Sequence, residues 1–334
     1  MKQAGRFCPS GYGLEGEDFK NKKEELSCDT LYAVGGLYGN TYALEKVLAM
    51  AEEEEGGAEI IFNGDLHWFE REMQDFIKIE NAAKKHGAIL GNVEAELIRE
   101  EDIGAGCGCA YPPYVDEKVV ERSNLIHKGL KEMLQKNSYP GEGMRKRKKS
   151  CCCLAAGKRV ALLHGDEKSL AGWGCARENL RERQRQEELG KWMEENRIDI
   201  IACTHTCAPA ALRLEKKAVI NNGAAGMPNF SGTHFGLLTR IGKTKHPLAL
   251  YRCELEGTYI EALPIHYPHR EFLRHFDSNW EKTSPAALSY RERIMGICCM
   301  EIKDALLQGF TLCEAKKERE DSEREGEENE QLFQ

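Results

Sequence analysis

Apolar residues along this chain follow two alternating rhythms. Residues 30–34 (Thr-Leu-Tyr-Ala-Val), 60–62, 88–90, 159–163 and 198–202 are short runs of β-branched, aromatic and aliphatic side chains, each ended by glycine or polar residues, and they predict buried strands. Between them the apolar positions recur at helical spacing. Ala43, Leu44, Val47 and Leu48 share one face behind a candidate N-cap at Asn40, and further helices are expected over 73–85, 94–101, 115–135 and 177–196. Strand, loop and helix in alternation are the pattern of right-handed βαβ units around a mostly parallel sheet, which gathers ligands beyond the carboxyl ends of its strands.

From residue 218 the rhythm changes. Residues 218–220, 234–241, 248–255 and 258–263 read as consecutive short strands, the last pair joined by Glu256-Gly257, and such a meander suits an antiparallel second sheet packed on the first. Residues 286–308 predict one long amphipathic helix, with Pro285 near its start, where a missing N–H costs little. The fold class expected is α/β, two sheets with flanking helices. The organisation expected is an irregular extension over 1–28, a main domain over 29–268, a helical extension over 269–313 and an acidic tail over 314–334. Within the main domain, residues 137–157 read as an inserted exposed loop carrying the basic run Arg145-Lys146-Arg147-Lys148-Lys149. The tail is too polar to offset the entropy of ordering and is expected to be disordered.

Composition narrows the function. A formal net charge of -8 argues against a general nucleic-acid binder, which must neutralise phosphates with Lys and Arg. No run of 18 apolar residues occurs and the first 30 residues lack the apolar stretch of a secretory signal, so no membrane span and a cytoplasmic location are expected. In a reducing compartment the 14 cysteines do not imply a disulfide framework. Cys253, Cys298, Cys299 and Cys313 read as core thiols. Cys107, Cys109 and the run Cys151 to Cys153 have no second CxxC at zinc-site spacing, and their role stays open.

Four islands carry candidate chemistry: Asn63-Gly64-Asp65, Gly91-Asn92-Val93-Glu94, Leu163-His164-Gly165-Asp166 and Cys203-Thr204-His205-Thr206. Each follows an apolar run, so each would deliver a carboxylate, amide or imidazole to the same sheet edge. Asp65 and Asn92 could instead cap the helices that follow them.

In order, these islands resemble the motifs of the calcineurin-like metallophosphoesterase superfamily, in particular its compact bacterial phosphodiesterase branch. Gly64-Asp65, Gly91-Asn92 and His164-Gly165 stand where that family has Gly-Asp, Gly-Asn and His-Gly, while Ala202-Cys203-Thr204-His205 approximates its Gly-His-Thr-His and Asn221-Asn222-Gly223-Ala224 a later Asn-Pro-Gly-Ser. The resemblance, over roughly 30–263, implies a four-layer αββα sandwich and a hydrolase acting on a small phosphomonoester or phosphodiester through metal-activated hydroxide. It implies one or two ions of Mn, Fe or Zn held by Asp65, Asn92, His164 and His205. The first family motif departs. Where Asp-x-His belongs, this chain has Gly36-Leu37-Tyr38, so one ion site is expected to be empty, weak or rebuilt. His67, in Asp65-Leu66-His67, is one candidate replacement, its alternative a loop histidine beside Trp68. Cys203 is another, if the fifth motif is read with Cys203 and His205 as the ligand pair; the shifted register leaves His205 between Thr204 and Thr206. Asp166, Arg122 and Asn229 are candidate substrate contacts. Two other readings remain: a pseudoenzyme that binds a nucleotide or protein partner, and a thiol-based redox or metal-sensing role for Cys107, Cys109 and Cys203. Oligomeric state is not legible.

Overall fold

Two sheets lie face to face in the computed structural model of the chain, which describes residues 3–14 and 17–314. Its strands are β1 (Ser27–Cys28), β2 (Thr30–Val34), β3 (Glu59–Phe62), β4 (Ser150–Ala155), β5 (Lys158–Leu163), β6 (Ile200–Cys203), β7 (Ala210–Leu214), β8 (Lys217–Asn221), β9 (Gly236–Gly242), β10 (Tyr251–Leu255), β11 (Thr258–Ile265), β12 (Leu306–Gln308) and β13 (Thr311–Leu312). The helices are α1 (Thr41–Glu53), α2 (Met73–His86), α3 (Asn92–Leu97), α4 (Glu117–Lys136), α5 (Glu142–Arg145), α6 (Arg177–Arg181), α7 (Arg183–Glu195), α8 (His269–Asn279) and α9 (Pro285–Ile294). One sheet has the order β1-β4-β5-β6-β8-β7-β12 and the other β13-β10-β11-β9-β2-β3. In the first, β5, β6 and β8 are parallel neighbours, Val160 facing Ile200 and Ile200 facing Ala218. In the second, β2 and β3 are parallel and the rest antiparallel.

Three apolar layers hold this α/β sandwich together. Leu31, Ala33, Val160, Leu162, Ile200, Leu237 and Ile241 fill the space between the sheets. Val34, Leu44, Val47, Phe76, Leu130 and Phe272 pack α1, α2, α4 and α8 on the outer face of the second sheet. Leu163, Ile201, Leu180, Leu189 and Met193 pack α6 and α7 on the first. Asn40 caps α1 as expected, its side-chain oxygen accepting from Ala43 N at 3.0 Å. No helix among the described residues is long and apolar enough to cross a membrane.

Several elements differ from the sequence expectation. Residues 88–90 make one bridge, Ala88 to Phe62, because Gly91 follows too soon for a strand to extend. The expected exposed loop over 137–157 contains β4, in which Cys151, Cys152 and Cys153 are buried and pair antiparallel with Leu162, Ala161 and Val160. Thiols there pack as small hydrophobes, a role the flanking basic run conceals. That run is itself only partly solvated, since the Arg147 side chain is 7% exposed and paired with Glu80. Residues 218–220 belong to the first sheet, parallel to β6, while β7, unforeseen, precedes them. The long helix over 286–308 stops at Ile294, where Gly296 with φ +81° turns the chain; the remainder forms a 3-10 turn and β12. Residues 177–196 form two helices that meet at Glu182. Beyond Glu314 the expected acidic tail lies outside the described residues.

The last strands clasp both sheets. β12 pairs with β7 and β13 with β10, so residues 306–312 edge the first sheet and then the second. Nearby, Arg240 lies 1% exposed on β9, its guanidinium bridging Glu54 at 2.6 Å and Glu261 at 2.7 Å, while Tyr32 donates to Glu54 at 2.7 Å. Arg240→Met would leave two buried carboxylates facing each other. The unfolding free energy from urea titration should then fall by about 3–5 kcal/mol.

Candidate metal centre

The site forms where β3, β5 and β6 end, and one buried carboxylate shapes it. Glu94, on α3, accepts from Asp65 N at 3.0 Å, Leu66 N at 2.8 Å, His67 N at 3.3 Å and Gly91 N at 2.9 Å. The loop after β3 is thereby pinned against the start of α3. The approach requires glycine: a Cβ on Gly64, whose φ is +95°, would stand 2.5 Å from His164 Nδ1 and 2.7 Å from Gly91 Cα. Asp65 is held at φ +53°, a left-handed conformation costly for a residue with a Cβ. Tyr38 and Cys207, with φ of +54° each, and His205 at +20° share this strain around the same site.

Four sequence-predicted residues meet. His164 Nε2 lies 3.3 Å from Asp65 Oδ1, 3.0 Å from Asn92 Oδ1 and 3.2 Å from His205 Nδ1. The hydrogen-bond roles there can be assigned. His164 Nδ1 sits 3.0 Å from the Asn63 carbonyl, which only accepts, so that nitrogen carries a proton. Asn92 Nδ2 donates to Cys107 O at 2.9 Å and to Cys109 Sγ at 3.3 Å, which turns its oxygen toward His164. In a neutral His164 the Nε2 lone pair therefore points at two oxygens that can only accept. A proton on His205 Nδ1, a second proton on His164 or a cation would each fill that focus, and the cation alone would satisfy all four ligand atoms at once. Ligand atoms bonded at ~2.1 Å to one ion lie about 3.0–3.4 Å apart at octahedral or tetrahedral angles. Asp65, His164 and His205, all buried, offer donor atoms close enough together for a shared ion, and Asn92 adds an amide oxygen.

The electrostatics suit that role. Burial alone would raise the Asp65 carboxyl, but facing His164 and His205 lowers it, so it stays ionised. Burial lowers His164 and the Asp65 carboxylate outweighs it, leaving it raised. Burial, with His164 opposite, pushes His205 down to about 3, which keeps the ring neutral and one of its two nitrogens free of a proton. His205 Nε2 is buried and has no partner among the described residues.

The other sequence candidates sit elsewhere. His67 is not in the cluster: Glu70 Oε1 lies 2.6 Å from its Nδ1 and Glu80 Oε1 2.9 Å from its Nε2, while its ring stacks on Phe76 at 3.8 Å. Both ring nitrogens are thus engaged. Cys203, at the end of β6, packs in the layer beneath α6 and α7, its thiol 3.7 Å from Ile220 O. Period-two alternation would point Cys203 and His205 the same way, but β6 ends at Cys203 and the chain turns at His205, φ +20°, so the two side chains part. Asp166 accepts from Lys168 N, Ser169 N and Gly174 N and orders its own loop. Arg122 reaches Leu288 O and Ser289 on α9. Asn229 braces residues 224–229, accepting from Ala224 N at 2.9 Å and from Arg293 at 3.1 Å. None of these three is in the cluster. Burial pushes the Cys109 thiol well up, so it faces the site protonated.

At the departed first motif, Tyr38 takes the space. A Cβ on Gly36 would stand 2.7 Å from the Tyr38 ring, and the Tyr38 hydroxyl lies 2.6 Å from Cys207 Sγ. Beside the cluster is a cavity of about 170 Å³ walled by Tyr38, Trp68, Tyr111, Trp173 and Tyr290, with no lysine or arginine in its lining. The contribution of Glu94 and of these aromatics was not foreseen. Tyr111, Trp173 and Tyr290 come from loops and α9, with no periodic pattern that would bring them together.

No protein-family model matches the chain, and no curated protein matches it. Solved structures do. A metallophosphoesterase from Sphaerobacter thermophilus aligns at 13% identity and a TM-score of 0.50, over 80% of this chain and 99% of its own. A hypothetical protein from Pyrococcus horikoshii OT3 aligns at 14% identity and a TM-score of 0.52, over 77% and 97%. The chain therefore has a metallophosphoesterase fold.

The His67 cluster gives a prediction with a definite sign. Burial lowers His67, but Glu70 and Glu80 outweigh it and raise it from 6.5 to about 9, so its contribution is complete below 6.5 and lost as pH rises through 9. Glu80, raised by burial but lowered further by His67 and Arg147 from 4.5 to about 2, contributes above 4.5 and loses its contribution as pH falls toward 2. Thermal melts of His67→Gln should therefore differ most from wild type between pH 4.5 and 6.5 and converge toward pH 9.

Proposed function

We propose that this protein is a metal-dependent phosphoesterase that works with a single divalent transition ion, Mn, Fe or Zn, held by Asp65, Asn92, His164 and His205. The observation that carries this is the convergence of acceptor atoms on His164 Nε2 within a metallophosphoesterase fold. A single ion is favoured because Tyr38 fills the space beside Gly36 and His67 is committed to Glu70 and Glu80. When bound, such an ion would polarise a phosphoryl oxygen and acidify water.

The chain's own residues then divide the work. Asp65 and Asn92 supply oxygen donors, fixed by Glu94 behind the loop and by Cys107 O behind the amide. His164, its Nδ1 proton tied to Asn63 O, presents Nε2. His205 stays neutral, so with Nδ1 given to the ion its Nε2 would carry the ring proton and could donate it to a bound ligand oxygen. The aromatic walls exclude water and would pack the organic part of a small substrate. Without lysine or arginine in the lining, one ion and one carboxylate leave about one positive charge. That balance suits a monoanionic phosphodiester better than a dianionic monoester. The fourteen cysteines fit a reducing compartment, and we place the protein in the cytoplasm.

Metal analysis of purified, metal-supplemented protein should find about one ion per chain in wild type and in His67→Gln, and far less in Asp65→Asn and His164→Ala. Hydrolysis of bis(p-nitrophenyl) phosphate should exceed that of p-nitrophenyl phosphate and fall at least ~100-fold in the two metal-site variants. An ion retained without turnover of either ester would instead support a binding role for a remodelled site. A wild type that takes up no ion would leave a proton at the focus and end the reading.

A further inference from the structure

A second cavity, of about 700 Å³, lies between the end of α2, the edge strand β3, β4 and residues 139–148. None of its lining residues belongs to the metal cluster. Its volume falls in the range of small-molecule pockets, roughly 300–1,000 Å³. The inner wall is apolar, with Leu26, Ile61, Ala83, Ile89 and Cys151. Against that wall stand two buried nitrogens that have no partner among the described residues, Arg147 Nη1 and His86 Nε2.

Arg147 is the more telling of the two. Its side chain is 7% exposed, and its other terminal nitrogen is committed to Glu80. A guanidinium N–H withdrawn from water without an acceptor is rare, because the lost hydration is not recovered. Arg147 is one of the residues that line the open cavity. Of the rim carboxylates, Glu25 pairs with Lys148 and Glu80 with His67 and Arg147, and the lining carries four glutamates against three lysines and Arg147, so the rim as a whole adds no net charge. Selection for negative charge is therefore set at the buried guanidinium fork.

We propose that this cavity is a ligand site for a small organic anion. Its phosphate or carboxylate accepts from Arg147 Nη1, with His86 Nε2 as a second polar contact, and its apolar body lies on Leu26, Ile61 and Ile89. Arginine suits this role because its planar fork can hold Glu80 on one nitrogen and a ligand oxygen on the other. The site is independent of the hydrolase reading, since its walls and its donors lie outside the metal cluster.

Isothermal titration of the full chain with adenosine monophosphate, octanoate and inorganic phosphate tests the assignment. One of the two organic anions should saturate a single site, with inorganic phosphate alone binding more weakly, and the one that binds identifies the phosphate or carboxylate source. Arg147→Lys keeps the charge and removes the Nη1 donor. Gly143→Phe fills the cavity from its exposed side, where an added Cβ would stand 3.5 Å from Glu80, an ordinary contact. Each should weaken binding at least tenfold, whereas Asp65→Asn should leave it unchanged. Melting temperature checks the fold of both variants, and if Arg147→Lys does not fold, Gly143→Phe decides. Failure of all probes to saturate at millimolar concentration, or unchanged affinity in a folded Gly143→Phe, would overturn the proposal.

Discussion

Four backbone N–H groups from two separate loops end on one carboxylate, that of Glu94, and the arrangement of the centre follows from this. A buried carboxylate must be compensated, and amide donors do this without bringing a competing cation into the site. The compensation also fixes geometry. It draws the turn after β3 onto the first turn of α3, which forces Asp65 into a left-handed backbone and leaves no room for a side chain at Gly64 or Gly91. Asp65 and Asn92, 27 residues apart in sequence by their numbering, are thereby set around one histidine nitrogen. The strain at Asp65 is tolerated because the surrounding hydrogen bonds over-determine it.

The loop over Gly36-Leu37-Tyr38 can be understood in the same physical terms. Gly36 has no side chain, and Tyr38 supplies a ring that occupies the space beside it and a hydroxyl that reaches Cys207. A further aromatic lining, from α9 and the loops after α3 and β5, gives the cavity a largely apolar wall. Fewer cationic groups are then available to meet a phosphate, and each remaining charge acts in a less polar medium.

Much of this was legible in the sequence where chemistry follows strand ends. Asp65, Asn92, His164 and His205 stand just past apolar runs, and the fold brings those ends together. Legibility failed where tertiary context decides. His67 has the right type and spacing for a ligand, but its direction is set by Glu70 and Glu80, which no local pattern reveals. Cys203 sits at the right position, yet the pleat points it into the helix-covered face. The cysteines of β4 lacked the branched side chains that usually mark a strand, and residues 286–308 kept helical periodicity past Gly296, where the backbone leaves the helix. Glu94 carried no signal of its importance, because its partners are backbone groups.

The clasp made by residues 306–312 has a consequence for biosynthesis. Until those residues emerge from the ribosome, β7 and β10 each present an open edge of unpaired amides, a template for pairing with other chains. The nascent sandwich can assemble its interior well before it can protect its borders. Its most exposed moment in association with neighbours therefore comes after nearly all of its core is built and before residues 306–312 dock.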